Sequence, residues 1–284
     1  MKPTLGFVGL GLMGTPMATR LLNAGYPLRI YNRTKEKASS LIERGAKWCD
    51  FPAAVAQQAE IVFSMLTNDD ALKSVASVIQ TSIRSGGIHV DCSTVSPTLT
   101  SFLENKYSST GRYFLHSPVL GSIPNATDGS LLLFVGGNSE AFVRVEPLLN
   151  ILGSKMWRFP KAEQASNMKL IMNSFIAGMI ATLSQALAFA QKAGVTGTTV
   201  LDVLHHSALN SSMYQTKGKS ILEGNFSPRF FLDNLLKDTN LFRDAAQMYS
   251  VSTPIAESVK ELLEEAVSRG LGKEDYSAVS KVVR

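Results

Sequence analysis

The chain opens as an alternation of short apolar, β-rich runs with helical ones. Strand-like runs lie at Leu5–Val8, Leu28–Tyr31, Ile61–Met65, Ile88–Asp91, Tyr113–His116 and Leu131–Val135. Helical patterns fill Met13–Asn23, Lys35–Arg44, Ala71–Ile79 and Pro97–Tyr107. Alternation of this kind predicts an α/β fold, a doubly wound and mostly parallel sheet with helices on both faces. Such sheets bind ligands at the carboxyl ends of their strands. After about Phe159 the pattern changes. Residues 163–193, 197–208, 214–223, 232–249 and 254–269 all read as helices, and no strand pattern appears. The switch predicts a nucleotide-binding domain over 1–160 and an all-helical domain over 161–284, with a long helix spanning the junction.

That long helix includes Met168 to Ala190, which is long enough to cross a bilayer. It carries Lys169, Asn173, Ser174, Ser184 and Gln185, and no basic cluster marks one flank. A buried central helix is the expectation, and no membrane partner. The first periodic segment starts at Thr4, leaving no room before it for a signal or transit peptide, so a cytoplasmic location is expected.

Composition narrows the class without naming a function. With 284 residues, 45% hydrophobic and 18% charged, the chain suits one large domain or two ordinary ones. Disordered, collagen-like and low-complexity classes are excluded. Cys49 and Cys92 cannot build a disulfide framework, so a reducing compartment is the default. With His89, His116, His205 and His206 they show no paired metal spacing, and no metal is expected. The net charge of +5 comes from scattered Lys and Arg with no basic run, so nucleic acid is not an expected partner. The distribution is nevertheless uneven. Residues 1–35 hold Lys2, Arg20, Arg29, Arg33 and Lys35 but no acid; the first is Glu36.

Gly9–Leu10–Gly11–Leu12–Met13–Gly14 is a G-x-G-x-x-G between the first predicted strand and the first predicted helix. That context makes it a Rossmann-type phosphate turn. Gly9 permits the tight turn, Gly11 lets a pyrophosphate approach the backbone, and Gly14 lets the helix pack closely. The anion then sits at a helix N-terminus, where free N–H groups and the dipole favour it. The second strand ends in Asn32–Arg33–Thr34, where an NAD site usually places an Asp or Glu for the ribose 2′-hydroxyl. Arg33 can instead fork onto a 2′-phosphate, with Asn32 and Thr34 adding hydrogen bonds. NADP(H) is the predicted cofactor.

Lys169 and Asn173 are four apart on the long helix and share one side of it. A lysine in apolar sequence is either a snorkelling side chain or one with a task. Burial lowers an ammonium pKa and makes the group usable in proton transfer. These residues also carry a resemblance. Gly6–Gly14 with Asn32–Thr34, Asp91–Pro97, Ser117–Ser122 running on to Asp128–Gly129, and Met168–Asn173 follow one another in the order of the β-hydroxyacid dehydrogenase motifs. Phe230 with Lys237–Asp238 matches a further one. Within that family the chain most resembles the NADPH-dependent glyoxylate/succinic semialdehyde reductases, with 3-hydroxyisobutyrate dehydrogenase and tartronate semialdehyde reductase as close kin.

The resemblance implies a small carboxylate-bearing aldehyde or hydroxy acid as substrate. It makes Lys169 the general acid or base and gives Asn173 an orienting role. It implies that Ser93, Gly121 and Ser122 bind the substrate carboxylate, that Phe230 lines the pocket, and that Asp238 helps organise it. Met65, Leu66, Thr94 and Lys237 would contact the cofactor beside the glycine turn. It also implies a homodimer or homotetramer packed through the helical half. Two features depart from the family pattern. Leu120 stands where a serine is usual, and Glu163 and Ala165 replace glycines before the lysine. An imine reductase of this architecture usually lacks the lysine, so Lys169 argues against that reading. The intact Lys169, Asn173 and Lys237 argue against a catalytically silent NADP-binding scaffold.

Overall fold

The computed structural model describes residues 2–283, which divide between Lys169 and Leu170 into two compact units. In the first unit the chain runs β1 (Leu5–Val8), α1 (Gly14–Asn23), β2 (Leu28–Tyr31), α2 (Ser39–Glu43), β3 (Lys47–Trp48), α3 (Pro52–Gln58) and β4 (Ile61–Ser64). It continues through α4 (Asp69–Ser82), β5 (Ile88–Asp91), α5 (Pro97–Ser108), β6 (Tyr113–His116), β7 (Val119–Leu120) and α6 (Ile123–Asp128). β8 (Leu131–Gly137), α7 (Ser139–Leu152) and β9 (Gly153–Phe159) complete it. The sheet order is β3-β2-β1-β4-β5-β6-β8-β7, with β9 paired to β8. Strands β3 to β6 in that order are parallel; β8 runs antiparallel to β6 and β7.

This is the doubly wound sheet that the alternation predicts. β1, β4 and β5 are buried at every position, as central strands covered on both faces must be. The strand order reverses between β1 and β4, so the ligand crevice of such a sheet opens beside the ends of those two strands. Main-chain bonds there tie the turn after β1 to its neighbours: Gly9 N–H donates to Tyr31 O, and Met65 N–H to Val8 O.

The helical unit contains α8 (Ala162–Lys192), which begins in the first unit, then α9 (Gly197–His206), α10 (Ser212–Glu223), α11 (Leu232–Met248) and α12 (Pro254–Ser268). Its core joins Ile180, Leu183 and Leu187 of α8 to Leu232 and Leu235 of α11, Leu263 of α12, and Val279. By length and composition α8 could cross a membrane, yet 44% of its most apolar stretch is buried inside the protein. It is less enclosed than a helix apolar nearly all round suggests, because Ile171, Phe175 and Phe189 lie on an exposed stripe.

Candidate active site

At the glycine turn, Gly9 has φ +98°, and a Cβ on it would lie 2.2 Å from the Met65 carbonyl oxygen. Only glycine meets both demands. A Cβ on Gly14 would fall 1.9 Å from the Gly9 carbonyl and 3.3 Å from the Phe7 ring. Its small size thus serves packing against the turn as well as the strand. Gly11 has open space on its Cβ side to at least 4 Å. No side chain caps the N-terminus of α1, and its first turn holds no acid. A bare cradle at the positive end of a helix fits the pyrophosphate of a dinucleotide. Leu10 is buried, whereas Leu12 is exposed and Met13 half-buried beside the turn.

Beside this turn Asn32 does something the sequence does not show. Its Oδ1 accepts from Leu10 N–H (2.9 Å) and its Nδ2 donates to Thr34 O (2.8 Å). The side chain therefore braces two loops. Arg33 and Thr34 are exposed, and Arg33 makes no ion pair among the described residues.

The ends of β4 and β5 are joined by a chain of buried polar groups. The Leu66 N–H donates to Ser93 Oγ (2.8 Å), and Ser93 Oγ donates to Asp91 Oδ1 (2.7 Å). Ser64 Oγ also donates to Asp91 Oδ1 (2.7 Å) and lies 2.8 Å from His89 Nε2. His89 Nδ1 in turn lies 2.8 Å from Tyr107 Oη. Burial pushes the Asp91 carboxyl up, but His116, His89 and the Ser64 hydroxyl outweigh it and hold the group below its ordinary range. Burial drives His89 down to about 4, with the charge on Asp91 opposing and His116 reinforcing. His116 Nδ1 sits 3.1 Å from Asp91 Oδ2, yet neither ring nitrogen has a well-formed hydrogen bond.

Ser93 is fully buried, and its hydroxyl is engaged on both sides. It braces the Met65–Leu66 and Ser93–Thr94 segments and offers no exposed surface of its own to a substrate carboxylate. Met65, Leu66 and Thr94 remain half-buried at the strand ends. Sequence reading missed Ser64, His89 and Asp91 as a group. The available signal was polar residues inside runs that are otherwise apolar.

In the next loop Gly121 has φ +140°, and a Cβ there would press on Leu131 and Asn125 at 2.9 and 3.0 Å. The Ser122 N–H donates to Asn125 Oδ1 (3.0 Å) at the start of α6. Gly121 is exposed, and Ser122 and Leu120 are half-buried. Glu163 is half-buried within ion-pair range of Lys161, whereas Ala165 is fully buried.

Lys169 and Asn173 are both buried on α8, one turn apart. Asn173 Nδ2 donates to Asp238 Oδ2 (2.6 Å), and Lys237 Nζ donates to Asp238 Oδ1 (2.5 Å). A carboxylate only accepts, so Asp238 settles which end of the Asn173 amide faces it. Asn173 Oδ1 is left buried with no hydrogen-bond partner. A buried acceptor of this kind invites a donor. Phe230 is half-buried and packs edge-on against Tyr276. Its N–H and that of Arg229 reach Asp275 Oδ2, which also accepts from Lys217 (2.9 Å).

Comparison with known proteins agrees with this architecture. Residues 4–160 match the family model described as the NAD binding domain of 6-phosphogluconate dehydrogenase. Residues 164–283 match that of the NAD-binding domain of NADP-dependent 3-hydroxyisobutyrate dehydrogenase. The chain belongs to the β-hydroxyacid dehydrogenase family. It is 33% identical over 284 residues to glyoxylate/succinic semialdehyde reductase 2, chloroplastic, of Arabidopsis thaliana, covering 99% of this chain and 79% of that protein. Glyoxylate/succinic semialdehyde reductase 1 of the same plant is 32% identical over 99% of this chain and 98% of its own. Among solved structures, 3-hydroxyisobutyrate dehydrogenase from Salmonella typhimurium superposes with a TM-score of 0.91 at 26% identity, covering 99% of this chain and 100% of the other. The chain is therefore an oxidoreductase of the NAD(P)-dependent hydroxyacid dehydrogenase type.

Proposed function

We propose that the protein is an NADPH-dependent reductase of small aldehyde acids such as glyoxylate or succinic semialdehyde, with Lys169 as the proton donor. The observation that carries the reading is the pair on α8: a buried lysine, and one turn on an asparagine whose amide Asp238 orients and whose Oδ1 is left as a buried, unpartnered acceptor. A bound nicotinamide nucleotide supplies the hydride. Lys169 gives its Nζ proton to the carbonyl oxygen of the aldehyde and takes it back when the hydroxy acid is oxidised. Asn173 Oδ1 accepts from whichever donor the substrate or Lys169 presents, and Lys237 supports it through Asp238. Gly121 and Ser122 hold the carboxylate, and Phe230 contributes an apolar wall. Leu120 supplies carbon rather than a hydroxyl beside that loop, which favours a substrate with methylene groups there.

The preference for NADPH rests on Arg33, exposed just after β2 with no acid before it in the chain. The exposed apolar side chains Phe175, Phe189, Val251 and Ile255 support a homo-oligomer formed through the helical unit. A panel of small aldehydes assayed with both nucleotides tests the reading. We expect turnover on short aldehyde acids with kcat/KM for NADPH at least about tenfold above NADH, and loss of that ratio in Arg33→Ser. Preference for NADH in the unmodified protein rejects the cofactor assignment.

A further inference from the structure

The buried chain Tyr107–His89–Ser64–Asp91–Ser93 ends on the backbone of Leu66. All five of these side chains are fully buried. No step of the proposed reaction uses them. A polar network of this size inside a parallel sheet is expensive unless every member is satisfied and the arrangement does something.

Proton counting, together with the charge on Asp91, sets its direction. The Ser64 hydroxyl has one hydrogen and two near neighbours, Asp91 Oδ1 at 2.7 Å and His89 Nε2 at 2.8 Å. An ionised carboxylate can only accept. If the Ser64 proton pointed at His89, two oxygens would face each other at 2.7 Å with no hydrogen between them. The Ser64 proton therefore goes to Asp91, and His89 Nε2 must carry a hydrogen to donate to Ser64. Burial disfavours a charge on His89, so the ring has that one hydrogen and its bare Nδ1 faces the Tyr107 hydroxyl at 2.8 Å. Tyr107 has one proton for two acceptors, that nitrogen and the Ala76 carbonyl at 2.7 Å, so the chain is one hydrogen short, and the charge on Asp91 places the shortfall at this end rather than at Ser64.

The same logic runs past Asp91. Ser93 gives its only proton to Asp91 Oδ1, which leaves its oxygen free to accept the Leu66 N–H. Leu66 is in turn part of the wall of the glycine turn: its Cδ2 lies 3.0 Å from where a Gly9 Cβ would be, and Met65 O lies 2.2 Å from it. The Met65–Leu66 segment thus meets the first glycine of the phosphate turn on one side and the Asp91 network on the other.

We infer that His89, Ser64 and Asp91 are positioning residues for the dinucleotide, with His89 held as the Nε2–H tautomer so that one ordered set of hydrogen bonds locks the Met65–Leu66 and Ser93–Thr94 segments against the glycine turn. The inference rests on the dinucleotide reading of that turn, and goes beyond it in assigning a task to groups that touch neither cofactor nor substrate.

Two measurements test it. Long-range 15N–1H NMR of the unmodified protein, at neutral pH and without nucleotide, reads the tautomer directly. We expect His89 protonated on Nε2 and bare on Nδ1; an Nδ1–H tautomer or an imidazolium overturns the inference. The second is calorimetric binding of NADPH and NADH to His89→Phe and His89→Gln. His89→Phe removes the donor to Ser64 and should weaken the binding of the preferred nucleotide about tenfold, while kcat at saturating nucleotide stays within about twofold. His89→Gln offers an amide N–H toward Ser64 and should recover most of the affinity. Unchanged affinity in His89→Phe, or a fall in kcat without a change in affinity, overturns the positioning role. Should His89→Phe fail to fold, the tautomer and the glutamine variant still decide. An unmodified protein that binds neither nucleotide overturns the dinucleotide reading itself and this inference with it, whatever the tautomer.

Discussion

Asn173 shows how much one side-chain orientation can carry. The ionised Asp238 can only accept, so it takes the Nδ2 end, and Oδ1 is left buried with nothing to receive. Lys169 and Asn173 stand out in the sequence because a lysine and an amide four apart are unexpected in an apolar helix. Ser93 and Asn32 are harder. A serine in a D-x-S-T segment or an asparagine after a strand looks the same whether its hydrogen bonds go to a ligand or to the protein. Here both are engaged internally, Ser93 with Asp91 and Leu66, Asn32 with Leu10 and Thr34. His89 makes a residue-scale prediction about stability. Its folded-state pKa of about 4 lies below the ordinary 6.5. Between those values the unfolded chain binds the extra proton and the folded one does not, so stability falls as pH drops through that window. The difference amounts to about 2 kcal/mol between pH 7 and pH 4.5. Asp91, with its pKa lowered from an ordinary value of 3.8, adds its own loss only in more acid solution. Urea unfolding at those two pH values should show the fall in the unmodified protein and a clearly smaller one in His89→Phe. Equal falls in both would contradict the assignment.

At the scale of elements, legibility follows length and periodicity. β1, β2, β5 and β6 match their predicted bounds; β1 and β5 are buried at every position, whereas β2 alternates buried with half-buried ones. The long helix predicted from about Glu163 to Ala193 is α8, Ala162–Lys192. Other elements left little trace. β3 and β7 have two residues each, and α6 has six. α7 carries Pro147 in its interior, which interrupts a helical pattern. β9 is mostly exposed or half-buried and so lacks the apolar run of a central strand. The glycine turn was legible because its three glycines answer three separate steric demands. The Asp91 network was not, since its members come from β4, β5 and α5 and meet only once the strands are in register.

For the whole molecule, composition and charge proved weaker guides than the order of motifs along the chain. The net charge of +5 has no bearing on the site, whereas the acid-free stretch of residues 1–35 surrounds the turn and the end of β2. The exposed apolar side chains of the helical unit make a prediction at this scale. Phe189 and Ile255 are each 73% exposed and Phe175 is 60% exposed, and Phe175 and Ile255 line one cavity. Light scattering coupled to gel filtration should give a dimer or tetramer of the 30.7 kDa chain, with Phe175→Glu shifted toward the monomer. A monomeric unmodified protein at micromolar concentration would contradict this reading.

The central claim is that Lys169 supplies the proton in a nicotinamide-dependent reduction of a small aldehyde acid. It is tested most directly by NADPH oxidation with glyoxylate and succinic semialdehyde in the unmodified protein and in Lys169→Met, with NADPH affinity measured alongside. The account predicts turnover of at least one aldehyde by the unmodified protein. In Lys169→Met it predicts a kcat lower by about 10²-fold or more, with NADPH affinity little changed. Equal rates in the two proteins would contradict it.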